Sequence, residues 1–309
     1  MNSRFRAQWS RVSLVIASIV ALAGFAWPLI AMAVPSEARA AVPLLAVALL
    51  PAVVVAVALA LDREMNSATT VAMLGVLTAV AAAIRIASTG VGGLEAVFVI
   101  LILAGRVFGA RFGFLLGMLT IALSSVLWGG FGPWTPFQMF ACGWVAAGAG
   151  VLPRMTSGSP RTAARLEILM LLGYGILASY AFGLIMNLWF WPFAVGSGTD
   201  ISYSAGAPVG QNLASFGLYS IVTSTLTWDT VRAVTTAVGI LFFGPAALAA
   251  LRRAKLGRAR STRQSGRKTT ATTTPRNSAL LDGGTQMRRS TAPGAAVAPP
   301  RVQRPSAPV

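Results

Sequence analysis

Residues 112–153 read FGFLLGMLTIALSSVLWGGFGPWTPFQMFACGWVAAGAGVLP, 42 positions without one charge between Arg111 and Arg154. About 20 apolar residues cross the hydrocarbon core of a bilayer as a helix. This stretch is long enough for two such helices, and Gly129-Gly130-Phe131-Gly132-Pro133 breaks it between them. Working outward, the same pattern recurs. There are 25 uncharged residues between Arg11 and Glu37, 22 between Arg39 and Asp62, and 20 between Glu64 and Arg85. Another 32 lie between Glu167 and Asp200, and 19 between Arg232 and Arg252. A shorter apolar stretch, Leu94–Arg106, carries Glu95 at its start. The spacing predicts an all-α integral membrane protein of eight transmembrane helices, near 13–34, 42–61, 69–87, 93–108, 112–129, 135–152, 166–191 and 230–251.

Composition agrees. Of 309 residues, 55% are hydrophobic and 11% charged, with a mean hydropathy of +0.71; soluble domains carry about 25% charged residues. The first apolar stretch, Val12–Val34, ends in Ala31-Met32-Ala33, which resembles a signal-peptidase site. It exceeds the ~7–15 residues of a signal core, so an uncleaved span is expected. The segment 201–228 is uncharged but polar and is expected to lie in the interface or re-enter the membrane. Asp229, in Thr227-Trp228-Asp229-Thr230, is expected to cap the last helix.

Charge fixes the expected orientation. Placing the N-terminus inside puts 22 of the 25 basic residues in the cytoplasm, leaving Arg39, Arg85 and Arg232 at the outer side. Both termini are therefore expected in the cytoplasm of a multi-pass plasma-membrane protein. Residues 252–309 hold 13 of the basic residues and one acid, Asp282. The tail 253–309 is rich in Ser, Thr, Pro and Arg and is expected to be disordered, lying near anionic membrane lipid. It has no aromatic residue to stack a base, so no nucleic acid is expected as partner.

The chain has no histidine and one cysteine, Cys142. Ser–His and Cys–His pairs and thiolate zinc sites are excluded, and no metal or cofactor is expected. No GxxxxGK[ST] phosphate loop is present, so the chain cannot hydrolyse ATP by that route.

Two residue sets could carry a function. Gly75, Ala79 and Ala83 (with Ala87) recur every four positions in the helix 69–87, giving one smooth face. Such a face packs inside its own bundle or docks a partner helix. Arg85, Glu95, Trp134, Gln138, Asn187, Asp229 and Arg232 are the polar and aromatic residues near the outer ends of the spans. They form structural pairs, such as Arg85 with Glu95 or Asp229 with Arg232, or they line a pocket open to the outside. Trp27, Trp128, Trp189, Trp191 and Trp228 are accounted for by an aromatic belt.

These features together resemble the S component of an energy-coupling factor (ECF) transporter over residues 68–252. The resemblance rests on six helices with both ends inside and on Ala79-x-x-x-Ala83 in the first. It also rests on GRVFGARFGFLLG (105–117), the FGPWTPFQ loop (131–138), TWDTVRA (227–233) and the basic stop at Arg252-Arg253. It implies a membrane subunit, not an enzyme, that captures a vitamin or related micronutrient at the outer face; a corrinoid such as cobalamin is the first expectation. It further implies docking on a transmembrane coupling subunit driven by two cytoplasmic ATPase subunits. The domains expected are 1–67 (two additional helices), 68–252 (the substrate-binding bundle) and 253–309 (the tail). The alternatives are a stand-alone secondary transporter of a small organic solute and an intramembrane enzyme.

Overall fold

The computed structural model describes residues 3–62, 68–88, 95–155 and 159–272, and side chains over 12–54, 68–88, 95–155 and 159–256. Among these residues every regular element is helical. In chain order they are α1 (Ser3–Phe25), α2 (Trp27–Ala33), α3 (Ala41–Asp62), α4 (Ala68–Ser88) and α5 (Val97–Phe108). There follow α6 (Ala110–Trp128), α7 (Thr135–Val151), α8 (Pro160–Ala194), α9 (Val209–Ser220) and α10 (Thr230–Thr272). A π-helical stretch, Ile221–Asp229, joins α9 to α10. One compact unit covers Met1–Thr262; of the second, Arg263–Val309, the described part is the helical end of α10.

Each expected helix has a counterpart. The protein is a multi-pass membrane protein, with four helices long and apolar enough to cross a bilayer alone: α4, α6, α8 and the continuous helix Val209–Leu256. A fifth candidate span is α1 with α2, bent by 69° at Ala26 just ahead of Pro28. Proline lacks the donor a continuing helix needs there. By contrast α5 and α7, with 12 and 17 residues, are about 18 and 26 Å long, short of a ~30 Å core.

Three expectations are corrected. The segment 201–228 is not a separate interfacial piece: from Val209 it is helical and runs without a break into α10. The wide turns are held by hydroxyls, Thr223 Oγ1 donating to the Tyr219 carbonyl and Thr230 Oγ1 to that of Thr225, both at 2.7 Å. Asp229 therefore begins no helix and caps none. The tail is helical as far as Thr272, so disorder from residue 253 does not hold over that stretch; residues 273–309 lie outside the described residues.

Small residues set the tightest packing. A methyl group at Gly105 or Gly113 would strike the backbone of Ala146, and one at Gly117 the backbone of Cys142. Three glycines of the 105–117 segment thus draw α5 and α6 onto α7, the close approach by which apolar helices gain contact in lipid. Gly109, at φ +98°, makes the one-residue turn between α5 and α6, a conformation that a side chain would strain. The bent pair α1–α2 packs on this body. Trp144 Nε1 donates to Ser18 Oγ at 3.0 Å, Phe25 meets Phe137 edge-on at 5.0 Å, and Trp27 Nε1 donates to the Trp189 carbonyl at 3.0 Å.

Candidate functional site

The basic end of the bundle gives a ruler for depth. Glu167, at the start of α8, accepts from Arg106 Nε at 2.8 Å and from Arg252 Nη2 at 2.6 Å. Arg106 also donates to the carbonyls of Leu152 and Pro153, at 2.6 and 2.9 Å, where α7 has ended. These charges tie the ends of α5, α7, α8 and α10 into one layer.

A second ionic group lies deeper in the bundle. Glu95 precedes Arg106 by eleven positions, about 16 Å of chain, and its partner Arg232 precedes Arg252 by twenty, about 30 Å of helix. The group therefore lies toward the end of the bundle away from the basic layer. Glu95 stands two positions ahead of α5, which starts at Val97. Arg232 of α10 donates through Nε to Glu95 and through Nη1 to Asp229 at 2.6 Å. Its Nη1 also reaches the Ser179 carbonyl of α8 at 3.3 Å. The guanidinium lies 4.8 Å from the Phe182 ring centre and 5.7 Å from that of Phe98. Asp229 is 1% exposed and accepts from Ser224 Oγ at 2.9 Å. Gly183 makes room for it, since any side chain there would overlap the carboxylate.

The third group joins α4, α6 and α7. Arg85 donates to Ser124 Oγ at 2.8 Å and to Gln138 Oε1 at 3.3 Å. Ser124 Oγ in turn donates a hydrogen bond to the Thr120 carbonyl at 2.7 Å. Glu95, considered as the partner of Arg85, pairs instead with Arg232. The two groups flank Cys142, buried one turn below Gln138 and within electrostatic reach of Arg85, Glu95 and Arg232. Five helices, α4, α6, α7, α8 and α10, with Glu95 just ahead of α5, thus contribute charge or hydrogen-bonding groups to these two clusters.

Trp134 and Asn187 stand apart from these bonds. The Trp134 ring folds over Gly132 at the start of α7 and is 41% exposed. Gln138 is one turn further in, its amide N–H on the Trp134 carbonyl at 3.0 Å. Asn187 lies one turn beyond Gly183 on α8, and its buried Nδ2 has no acceptor among the described residues. The neighbouring Trp189 packs at a tilt against Phe137, ring centres 4.4 Å apart.

Sequence reasoning missed Ser124, Ser179 and Ser224 and the flanking rings of Phe98 and Phe182. The pair Ser124-Ser125 inside an apolar helix was the available signal. Ser179 takes part through its carbonyl, which no sequence pattern marks.

On α4 the small residues face outward. Gly75, Ala79 and Ala83 are exposed, along with Val76 and Val80, and a methyl at Gly75 would meet nothing within 4 Å. The inner face of α4 is Leu74, Leu77, Thr78, Ala81 and Ala82. Among the described residues, then, the stripe is not packing inside its own bundle. Set against models of known families, curated proteins and solved structures, the chain matches none of them.

Proposed function

We propose that this chain is the substrate-binding membrane subunit of an ECF-type importer. It captures a vitamin-sized micronutrient from outside and passes it to a coupling subunit carrying two cytoplasmic ATPases. The observation that carries this reading is the gathering of Arg85 with Gln138, and of Glu95 and Asp229 with Arg232, within the bundle and away from its basic end. Ionisable groups within a membrane bundle are costly and, when present, serve a pathway or a binding cavity. The backbone adds to the argument: the chain beside Asp229 is π-helical. Irregular backbone at membrane depth is tolerated where it is buried in protein or lines a cavity, and π turns cluster at functional sites. The positive-inside rule assigns the basic end to the cytoplasm, so both termini lie inside, eight passes cross the membrane and the polar level opens outward.

The exposed stripe of Gly75, Ala79 and Ala83 suits the coupling subunit, because small residues let a second helix approach closely. A corrinoid heads the list of substrates to test, ahead of other ring-bearing vitamins. The test is mass spectrometry of small molecules retained by the purified full-length chain, followed by titration of the ligand found. Tight binding without ATP or an ion gradient is the expected result.

One observation favours a second reading. Glu95 and Asp229 are carboxylates at depth, as ion-coupled secondary transporters require. Gradient-driven uptake by the chain alone in proteoliposomes would establish that reading and remove the first.

A further inference from the structure

At the basic end, a cavity of about 650 Å³ opens between the ends of α5, α7, α8 and α10. Arg106, Arg154, Arg252 and Lys255 line it, against a single acid, Glu167. Glu167 is already shared by Arg106 and Arg252, so the cavity carries a surplus of positive charge. Gly109 and Gly150 form part of its wall, and Arg154 stands exposed beyond the end of α7.

A second cavity, about 660 Å³ and almost wholly apolar, runs along the outer seam between α5 and α10. Val99, Ile100 and Leu103 form one side; Val238, Ala250 and Leu251 belong to the other. The two cavities are continuous in register. Leu103 and Val107 are one turn apart on α5, as are Leu251 and Lys255 on α10. Lys255 Nζ donates to the Val107 carbonyl, closing the seam at that level. From Leu251 the groove climbs to Val234, about 25 Å of helix, more than the ~15 Å an acyl chain occupies in one leaflet.

We propose that these two cavities are one site for an anionic phospholipid, with the phosphate headgroup among Arg106, Arg154, Arg252 and Lys255 and an acyl chain in the α5–α10 groove. Charge selects this occupant over a partner helix. An apolar helix fits the groove but leaves the cationic cavity unanswered, whereas a phosphodiester joined to a chain fills both. Basic pockets between transmembrane helices on the cytoplasmic side bind such headgroups. The site does not depend on which substrate the chain carries, because it lies at the opposite end from the polar level.

The experiment uses the full-length chain in nanodiscs of equal phosphatidylglycerol and phosphatidylcholine, with native mass spectrometry of the lipid that remains bound. Wild type should retain phosphatidylglycerol over phosphatidylcholine by about tenfold or more, and Arg154→Gln/Lys255→Gln should lose that preference. Ala250→Trp, which fills the groove, should lower retention of dioleoyl lipid while sparing the dihexanoyl form. Melting in phosphatidylcholine alone checks that each variant is folded. If the double variant is not, Arg154→Gln alone, at an exposed position, carries the comparison. Equal retention of the two lipids by wild type overturns the proposal, as does retention unaffected by both sets of substitutions. Displacement of phosphatidylglycerol by millimolar inorganic phosphate would assign the cavity to a free anion and overturn the lipid.

Discussion

Arg232 and Arg252 stand on one helix about 30 Å apart, and each ends on a carboxylate brought by another helix. Arg232 meets Glu95 just ahead of α5, and Arg252 meets Glu167 at the start of α8. The helix α10 is thus pinned at two depths to two different neighbours. The lower pin is half exposed at Arg252 and holds the basic end together. The upper pin is buried at Arg232, half-buried at Glu95, and includes the buried Asp229 as a third member.

Loss of Arg232 leaves Asp229 buried without its counter-charge, a defect that costs about 3–5 kcal/mol. Arg232→Leu should therefore lower the melting temperature of the purified chain sharply. Adding Asp229→Asn and Glu95→Gln to it should restore part of the loss by removing the stranded charge. A single variant that melts like the parent would show that the triad is not formed.

Asp229 gives a sharper test of position. In a helix cap, Ser and Asn replace Asp at little cost. Here the helix runs through residue 229, and its carboxylate bonds Arg232 and Ser224. Asp229→Ser should destabilise clearly more than Asp229→Asn, which keeps the reach to both partners. Equal melting temperatures for the two would return Asp229 to a capping role.

How much of this was legible differs by feature. Helix positions were, because a charge-free stretch has few alternatives in lipid. The pairing of Asp229 with Arg232 was legible from their three-residue spacing. The partner of Glu95 was not: it meets Arg232, far along the chain on α10. The run from Val209 into α10 was hidden because Ser, Thr, Gln211 and Asn212 give the segment the composition of a loop. In the structure its hydroxyls bond back to the helix, and Asn212 bonds Ser204. The bond from Arg85 to Gln138 links helices whose order in space no local pattern fixes.

The ligand-facing claim rests on Gln138 and Trp134. Gln138→Leu removes an acceptor from Arg85 and should weaken ligand binding by about 1–3 kcal/mol, or roughly 5- to 150-fold. Trp134→Ala should weaken it through lost aromatic area while leaving the melting curve in place, since the ring is exposed. Calorimetric titration beside thermal melting separates the two effects. Unchanged affinity in both variants would place the substrate elsewhere.

Orientation is read with single cysteines. Cys142 is buried, so Cys142→Ala gives a silent background. Gly196 is exposed, with nothing within 4 Å of an added side chain. Gly196→Cys should react with an impermeant maleimide on intact cells, and Ser278→Cys only after the membrane is opened. Labelling of both on intact cells contradicts cytoplasmic termini.

The exposed stripe on α4 separates capture from coupling. Ala79 and Ala83 are exposed, so a larger side chain at either position extends away from the inner face of α4. Ala79→Trp/Ala83→Trp should therefore fold, melt like the parent and bind ligand with unchanged affinity. A helix from another subunit, however, approaches closely only over small side chains. The double variant should abolish uptake in cells and co-purification with the coupling subunit, while Ala79→Gly/Ala83→Gly preserves both. Two results would remove the docking role. If uptake survives the tryptophans, no partner packs on this face. If folding and binding fail with uptake, the face is covered within the chain itself, and α4 stabilises the bundle without addressing a partner.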